Sequence, residues 1–582
     1  MLTLTMGIVL SVTLSGAEAI SSEPDHSREW PLRFGVDDAG GPHPLYKHPK
    51  AAELFEEFGF DVWVMHYLPP AGYQFMSRDA HVQTLRDEGV DLEAYGFEDA
   101  PDLAATIHYI RAVDAWCGEQ GIEWIANLES ANWIASYVDG RGNEWYHHED
   151  GRHFWRFPDS VFEELTQTEN LLGVMFDEPE HMQSTSQPER AERHNIAGLG
   201  HPFMYDPAGD QLEDAADRFY EAVKAEAEPY LEHGLKVYTE HVFPILFHGF
   251  ARAGYIAAPK VLKESWSPIV AAIAMGAAIQ YDTEFWITPD LWGNYGYPSH
   301  SPDAYRSALL LAYHLGADGI YTENLAFDHE RRGYGSLVYM TDDEYRVTPH
   351  GEVTKWFIHE YVPENPRRYT FRQLRPRVAI VRQPDGCWGQ ATSWLPDTLF
   401  GHPEWNSTLE TEAWFRIWHL LTLGVVPADG LNWHCGVAAR QPHRVFAPLD
   451  GVVVFDHHVK ERHLQDVEAI FLTGVGITPE GLDAISSRVQ EGAICFTLPH
   501  LAPDRVREGA DDSGVFEDGA GTWVVSDDFL APEVRRRVAP FFPAHDTIRY
   551  QFGDATVRLR MLDDDPNRIE AGVVWPQTEE AS

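Results

Sequence analysis

The chain has 582 residues, 44% apolar and 13% aromatic, which describes a globular protein of two or three domains and excludes a disordered one. Its 91 acidic residues against 44 basic ones give a formal charge of −47, which excludes the basic footprint that nucleic acid or an anionic membrane requires. Only eight of the basic residues are lysine, a balance that high salt favours by screening self-repulsion and that a GC-rich genome favours through arginine.

The first 30 residues form a leader and extension. They hold an apolar stretch, Met6 to Leu14, and an A-x-A-like end at Ala17 to Ala19, without the basic start of a secretion signal. If this segment acts as a signal the protein is secreted or periplasmic; otherwise it is cytoplasmic. No other run is long and apolar enough to span a membrane. The four cysteines, Cys117, Cys387, Cys435 and Cys495, are far apart and form no CxxC, so buried free thiols are expected rather than a disulfide framework or zinc site. No cofactor is implied.

From residue 33 onward, short β-rich runs alternate with helical ones. The β-rich runs are "RFGVDD", "DVWVMHYLPP", "IEWIANLES", "LLGVMFDEPE", "LKVYTEHV", "APKVLKESW", "AIQYDTEFWI" and "DGIYTENL". The segments between them include the amphipathic "QLEDAADRFYEAVKAEAEPYLEHG" and the apolar "SPIVAAIAMGA". Eight such units in roughly 300 residues favour a (β/α)₈ TIM barrel over residues 31–370, with a doubly wound open sheet as the alternative. The first run has no G-x-G-x-x-G after it, which weakens a dinucleotide-binding version. A second α/β unit, read as an open sheet over 371–510, starts at "RPRVAIVRQPDG". Short alternating runs such as "TIRYQFGD" and "ATVRLRML" make 511–582 a small β-rich C-terminal module.

Barrel enzymes place their chemistry at the C-terminal ends of the strands. The eight runs end in Asp37 and Asp38; His66 and Tyr67; Asn127, Glu129 and Asn132; Asp177 and Glu178; Glu240 and His241; Lys263, Glu264 and Trp266; Asp282, Glu284 and Trp286; and Glu323 and Asn324. Seven of these ends carry a carboxylate. Carboxylates and amides hydrogen-bond hydroxyl groups, and aromatic faces pack on C–H surfaces, so the crown suits a carbohydrate. Trp286, Trp292, Tyr295 and Tyr297 are the expected stacking rings. Any one of these acids could instead cap a helix N-terminus, but amides and aromatics recurring beside them favour a site.

The "FDEPE" after the fourth run resembles the "NEP" motif of retaining glycoside hydrolases of the large (β/α)₈ clan, clan A. The second unit, with "VEAIFLTGVGITPEGLDAISSRVQEGA", resembles the amidotransferase-like domain that follows the barrel in family 42 β-galactosidases. The resemblance implies Glu178 as general acid/base and a strand-seven acid, Glu284, as nucleophile, with Asp282 as its rival. The strand ends themselves supply the expected substrate contacts, from Asp37, His66, Asn127, Glu129, Asp177, Glu240, His241, Asp282, Trp286, Trp292, Glu323 and Asn324. The clan usually has Asn where this chain has Asp177. An amidotransferase would need a nucleophilic cysteine; "GVVVFD" is followed instead by "HHVKER", so the second unit is expected to be structural, a candidate surface for homo-oligomer contacts. Two other classes stay open: a metal-dependent barrel hydrolase built on His66, Glu240 and His241, and a carbohydrate-binding protein that does not cleave.

Overall fold

The computed structural model describes residues 32–41, 45–66, 83, 86–87, 89, 101–128, 159–184, 205–263, 266–291, 300–327, 335–386, 399–402, 404–406, 408–428 and 444–576. The expected Glu129 and Trp292, and with them Tyr67, Asn132, Glu264, Tyr295, Tyr297 and the N-terminal leader, lie outside the described residues.

Eight parallel strands close into a barrel in chain order: β1 (Arg33–Asp37), β2 (Val62–Met65), β3 (Glu123–Asn127), β4 (Leu171–Asp177), β5 (Lys236–His241), β6 (Ile256–Val261), β7 (Trp286–Pro289) and β8 (Gly319–Thr322). Each run is apolar because both faces are covered, by the barrel interior and by the outer helices. Residues two apart share a face, so every strand sends alternate side chains inward. Val62, Val64, Ile125, Met175, Tyr238, Ile256, Ala258, Trp286 and Tyr321 pack into the lower interior as one buried cluster. The Trp286 ring fills the barrel floor against Gly319, where a Cβ would come within 2.3 Å of the ring.

After the barrel, a six-stranded sheet has the spatial order Val452–Phe455, Val378–Arg382, Ala469–Thr473, Ile494–Thr497, Gly521–Val525 and Val515–Asp518. The first five strands are parallel and the last is antiparallel. The hairpin from Val515 to Val525, expected in the C-terminal module, thus completes this open sheet. A separate four-stranded sheet joins Leu449–Asp450 to Thr547–Phe552, Ala555–Met561 and Ile569–Val574.

The helix Ser267–Tyr281 is apolar on every side because it is held between the barrel and the six-stranded sheet. Gly276 lets the two approach: a Cβ there would sit 1.8 Å from the Val454 carbonyl oxygen. Asp456, just past the neighbouring strand, accepts hydrogen bonds from Gln280 Nε2 and the Tyr281 hydroxyl, both at 2.5 Å. Cys495 is buried inside its strand and burial pushes its thiol well up, which does not suit a nucleophile. Among the described residues, no helix is long and apolar enough to cross a membrane.

Candidate active site

Further toward the C-terminal ends of the strands, the same inward faces change character. The inward positions become Asp37, His66, Asn127, Asp177, Glu240, Lys260, Asp290 and Glu323, all buried. They form one polar layer at the C-terminal mouth of the barrel. Lys260, on β6, stands at its centre with its side chain 1% exposed. Its ammonium lies 2.9 Å from Glu323 Oε2, 3.4 Å from Glu178 Oε1, 3.5 Å from both Asp177 Oδ1 and Glu240 Oε1, and 3.9 Å from Asp290 Oδ2. A second ammonium, on Lys263, reaches Asp290 at 2.8 Å.

The hydrogen bonds tie neighbouring strands together. Asn127 Nδ2 donates to Asp177 Oδ2 at 3.0 Å. His66 Nδ1 faces Asp37 Oδ2 at 3.0 Å, and the His66 amide donates to Asp38 Oδ1 at 2.7 Å. Asp290 and Glu323 meet as a parallel bridge between the strand ends.

Burial and charge act against each other here. Burial would raise the Glu323 carboxyl, but Lys260 and Lys263 overcome it and hold the group at about 2. Burial pushes Asp290 up to about 8, reinforced by Glu323 and opposed by the two lysines. Glu240 is raised well above the usual carboxylate range by burial. Asp38, also buried and beside Asp37, rises to about 7. Burial opposes the charge on Lys260, but the surrounding carboxylates raise its pKa well above the ordinary lysine value. At neutral pH the mouth therefore holds protonated and ionised carboxyl groups side by side, the condition for general acid chemistry next to a fixed negative charge.

Glu178 differs from its neighbours. It follows β4 with φ of 49°, in the left-handed region, and its amide donates to the Glu240 carbonyl at 2.9 Å. For a residue with a Cβ this conformation costs about 1–2 kcal/mol. Its side chain is 16% exposed, against 1% for Asp177. It is the acid on the solvent side of the Lys260 cluster. Leu262 and Asn324, after β6 and β8, are also left-handed, so strain gathers at this end of the barrel.

Several expected residues lie elsewhere. The run "AIQYDTEFWI" is not one strand: its first part ends the helix Ser267–Tyr281, and Asp282 is the exposed left-handed residue that terminates it. β7 begins only at Trp286. Glu284 therefore lies at the opposite, N-terminal rim, 2.7 Å from Lys236 Nζ at the start of β5, and accepts from Trp286 Nε1 at 3.0 Å. Neither Glu284 nor Asp282 faces Glu178, and Trp286 is floor packing rather than a stacking ring. The acid that β7 does carry to the mouth is Asp290. His241 points outward, opposite to Glu240. Its Nδ1 lies 3.0 Å from the Ile245 carbonyl, its ring stacks on Phe247, and burial holds it down at about 3. The set of His66, Glu240 and His241 therefore does not converge. Asn324 is buried just past Glu323 at the end of β8.

Sequence reading missed Lys260 and Asp290. Lys260 had a signal: it stands at an inward position of an apolar strand in a chain with eight lysines. Asp290 had one too, as the first acid after "WITP".

No family model and no curated protein matches the chain. Two solved structures share its architecture along nearly the whole length. One is a β-galactosidase from the psychrophilic Marinomonas ef1, at 10% identity and TM-score 0.52, covering 91% of this chain and 95% of that one. The other is Gan42B, a GH42 β-galactosidase from G. stearothermophilus, at 10% identity and TM-score 0.50, covering 95% of each chain. At such identity the likeness is one of fold: a TIM barrel followed by further sheets in the C-terminal part.

Proposed function

We propose that the chain is a glycoside hydrolase whose two working carboxyl groups are Glu178 and Asp290, acting by retention. The observation that carries this reading is the Lys260 ammonium. It gathers acids from the ends of β4 and β7 around one atom. Glu178 Oε1 and Asp290 Oδ2, at 3.4 and 3.9 Å from that atom, are no more than about 7.3 Å apart, a bound compatible with two carboxyl groups flanking a glycosidic bond. Glu178, on the open side, protonates the leaving oxygen and then activates water. Asp290, once deprotonated beside Lys263, attacks the anomeric carbon. Asp37, His66, Asn127, Asp177, Glu240 and Glu323 hold the sugar hydroxyls.

Asp177 fits the same reading. An acid here is balanced by Lys260 and oriented by Asn127. The substituted acid and the buried lysine act as a pair, and the mouth is correspondingly more polar toward its ligand. The shared fold makes an aryl β-galactoside the first substrate to try.

A second reading is supported by the same lysine. Five carboxylates within 4 Å of one ammonium form a closed ion network, which suits a protein that binds glycans without cleaving them. A panel of aryl-glycosides and polysaccharides, assayed at low and high salt, separates the two. Product release that Glu178→Gln abolishes supports the hydrolase. Calorimetric glycan binding with no product across the panel supports the binding protein.

A further inference from the structure

The histidine pair after "GVVVFD" takes no part in the barrel mouth. His457 and His458 lie where the six-stranded sheet meets the barrel's outer helices. Asp217, on the helix Leu212–Glu232, faces them. One ligand atom from each of the three lies within 4.8 Å of the others. The His457 side chain is 7% exposed, and neither of its ring nitrogens has a hydrogen-bond partner among the described residues. Its Nε2 stands 3.9 Å from Asp217 Oδ1, so a buried imidazole is aimed at a carboxylate without bonding to it.

His458 has a second unresolved demand. Its Nε2 lies 3.0 Å from Asp217 Oδ1 and 2.8 Å from an Arg252 guanidinium nitrogen. A protonated Nε2 donates to Asp217 but meets the Arg252 donor head-on. A deprotonated Nε2 accepts from Arg252 but turns a lone pair toward the carboxylate oxygen. No single tautomer satisfies both neighbours. The backbone behind the pair is fixed. The His458 amide donates to Asp456 Oδ1 at 2.8 Å, and Asp456 is itself held by Gln280 and Tyr281.

We infer that Asp217, His457 and His458 form a binding site for a divalent transition metal of the zinc type, which clamps the six-stranded sheet to the barrel. Two imidazoles and one carboxylate suit zinc, cobalt or nickel, whereas calcium and magnesium prefer all-oxygen shells. A cation among the three atoms uses the idle His457 nitrogen and both lone pairs that now conflict. Water completes the shell on the exposed side of Asp217. Arg252 is the competing occupant, ion-paired to Asp217 with its guanidinium on the Tyr220 face at 3.9 Å. It yields by sliding along that face into solvent, and the acidic surface of the chain favours the divalent ion.

The test uses the full chain, stripped with EDTA, dialysed and titrated with Zn²⁺. One equivalent should bind by elemental analysis, raising the melting temperature by several degrees, reversibly with EDTA. Co²⁺ should give the visible absorption of a tetrahedral site. Asp217→Asn, His457→Gln and His458→Gln should each weaken binding at least about tenfold. Arg252→Gln should bind as tightly as the native chain or more tightly. If the buried His457→Gln chain fails to fold, Asp217→Asn and Arg252→Gln, at partly exposed positions, still decide the matter. Failure of the native chain to bind zinc, or binding that Asp217→Asn leaves unchanged, overturns the site.

Discussion

Lys260 Nζ stands 2.9 Å from Glu323 Oε2, with four more carboxylates within 4 Å, inside a barrel whose next layer down is apolar. A buried cation among buried anions is held by mutual need. Removing one partner leaves the others unpaired and desolvated, which costs on the order of 3–5 kcal/mol. Lys260→Met should therefore lower the thermal midpoint clearly and abolish activity. Adding Asp177→Asn and Glu323→Gln to it should recover part of the lost stability, because the triple variant removes the cation and its nearest ionised partner together. Calorimetric melts of the single, double and triple variants check this. An unchanged midpoint in Lys260→Met would mean that the network contributes nothing net.

Glu178 and Asp290 share the mouth, while Glu284 is on the far rim. Glu178→Gln and Asp290→Asn should each reduce kcat by at least about a thousandfold with little change in the circular dichroism spectrum. Glu284→Gln should keep kcat within about threefold, losing only a partly exposed ion pair to Lys236. Steady-state assays of the three variants on one good substrate decide between the two strand-seven acids. If Glu284→Gln is inactive and folded, the assignment of Asp290 fails.

The difference between Glu284 and Asp290 shows what the sequence could and could not tell. Eight units and their order were legible because buried parallel strands are short apolar runs between longer helical ones, and Asp37, His66, Asn127, Asp177, Glu240 and Glu323 follow from reading the ends of those runs. The seventh end was misplaced because the apolar helix Ser267–Tyr281 runs into its strand through a four-residue turn that is itself aromatic and acidic. Periodicity does not mark that boundary; the left-handed backbone at Asp282 does. Lys260 was overlooked because it lies inside a strand instead of past its end. The direction of His241 depends on strand parity, which turns on a single residue of register.

Burial raises Asp290 to about 8, from an ordinary value of 3.8. As a nucleophile it must be ionised, so kcat/KM should rise with pH through a limb near 8, shared with the acids coupled to it. The stability effect has the opposite sense. A carboxyl whose folded value is raised binds its proton more tightly when folded, so its contribution is full below about pH 4 and is lost as pH climbs through about 8. Asp290→Asn should flatten the fall in stability over that window while removing activity. A pH series of denaturant melts on native and variant chains measures this. A native stability that rises from pH 5 to 8 with a slope unaltered in Asp290→Asn would contradict the raised value.

Gly276 permits the close approach between the helix Ser267–Tyr281 and the strand Val452–Phe455. A Cβ at this position would lie 1.8 Å from the Val454 carbonyl oxygen and 2.9 Å from a Val453 side-chain carbon. A strand's backbone carbonyl oxygen cannot turn aside as a flexible side chain would, so Gly276→Ala must push the sheet away from the barrel. Overpacking of this kind costs about 1–3 kcal/mol. The same helix, through Gln280 and Tyr281, anchors Asp456 and with it the His457–His458 turn. The displaced sheet should therefore melt separately from the barrel, giving two calorimetric transitions against one expected of the native chain. A single transition at the native midpoint would show that the joint has slack that the 1.8 Å approach does not reveal.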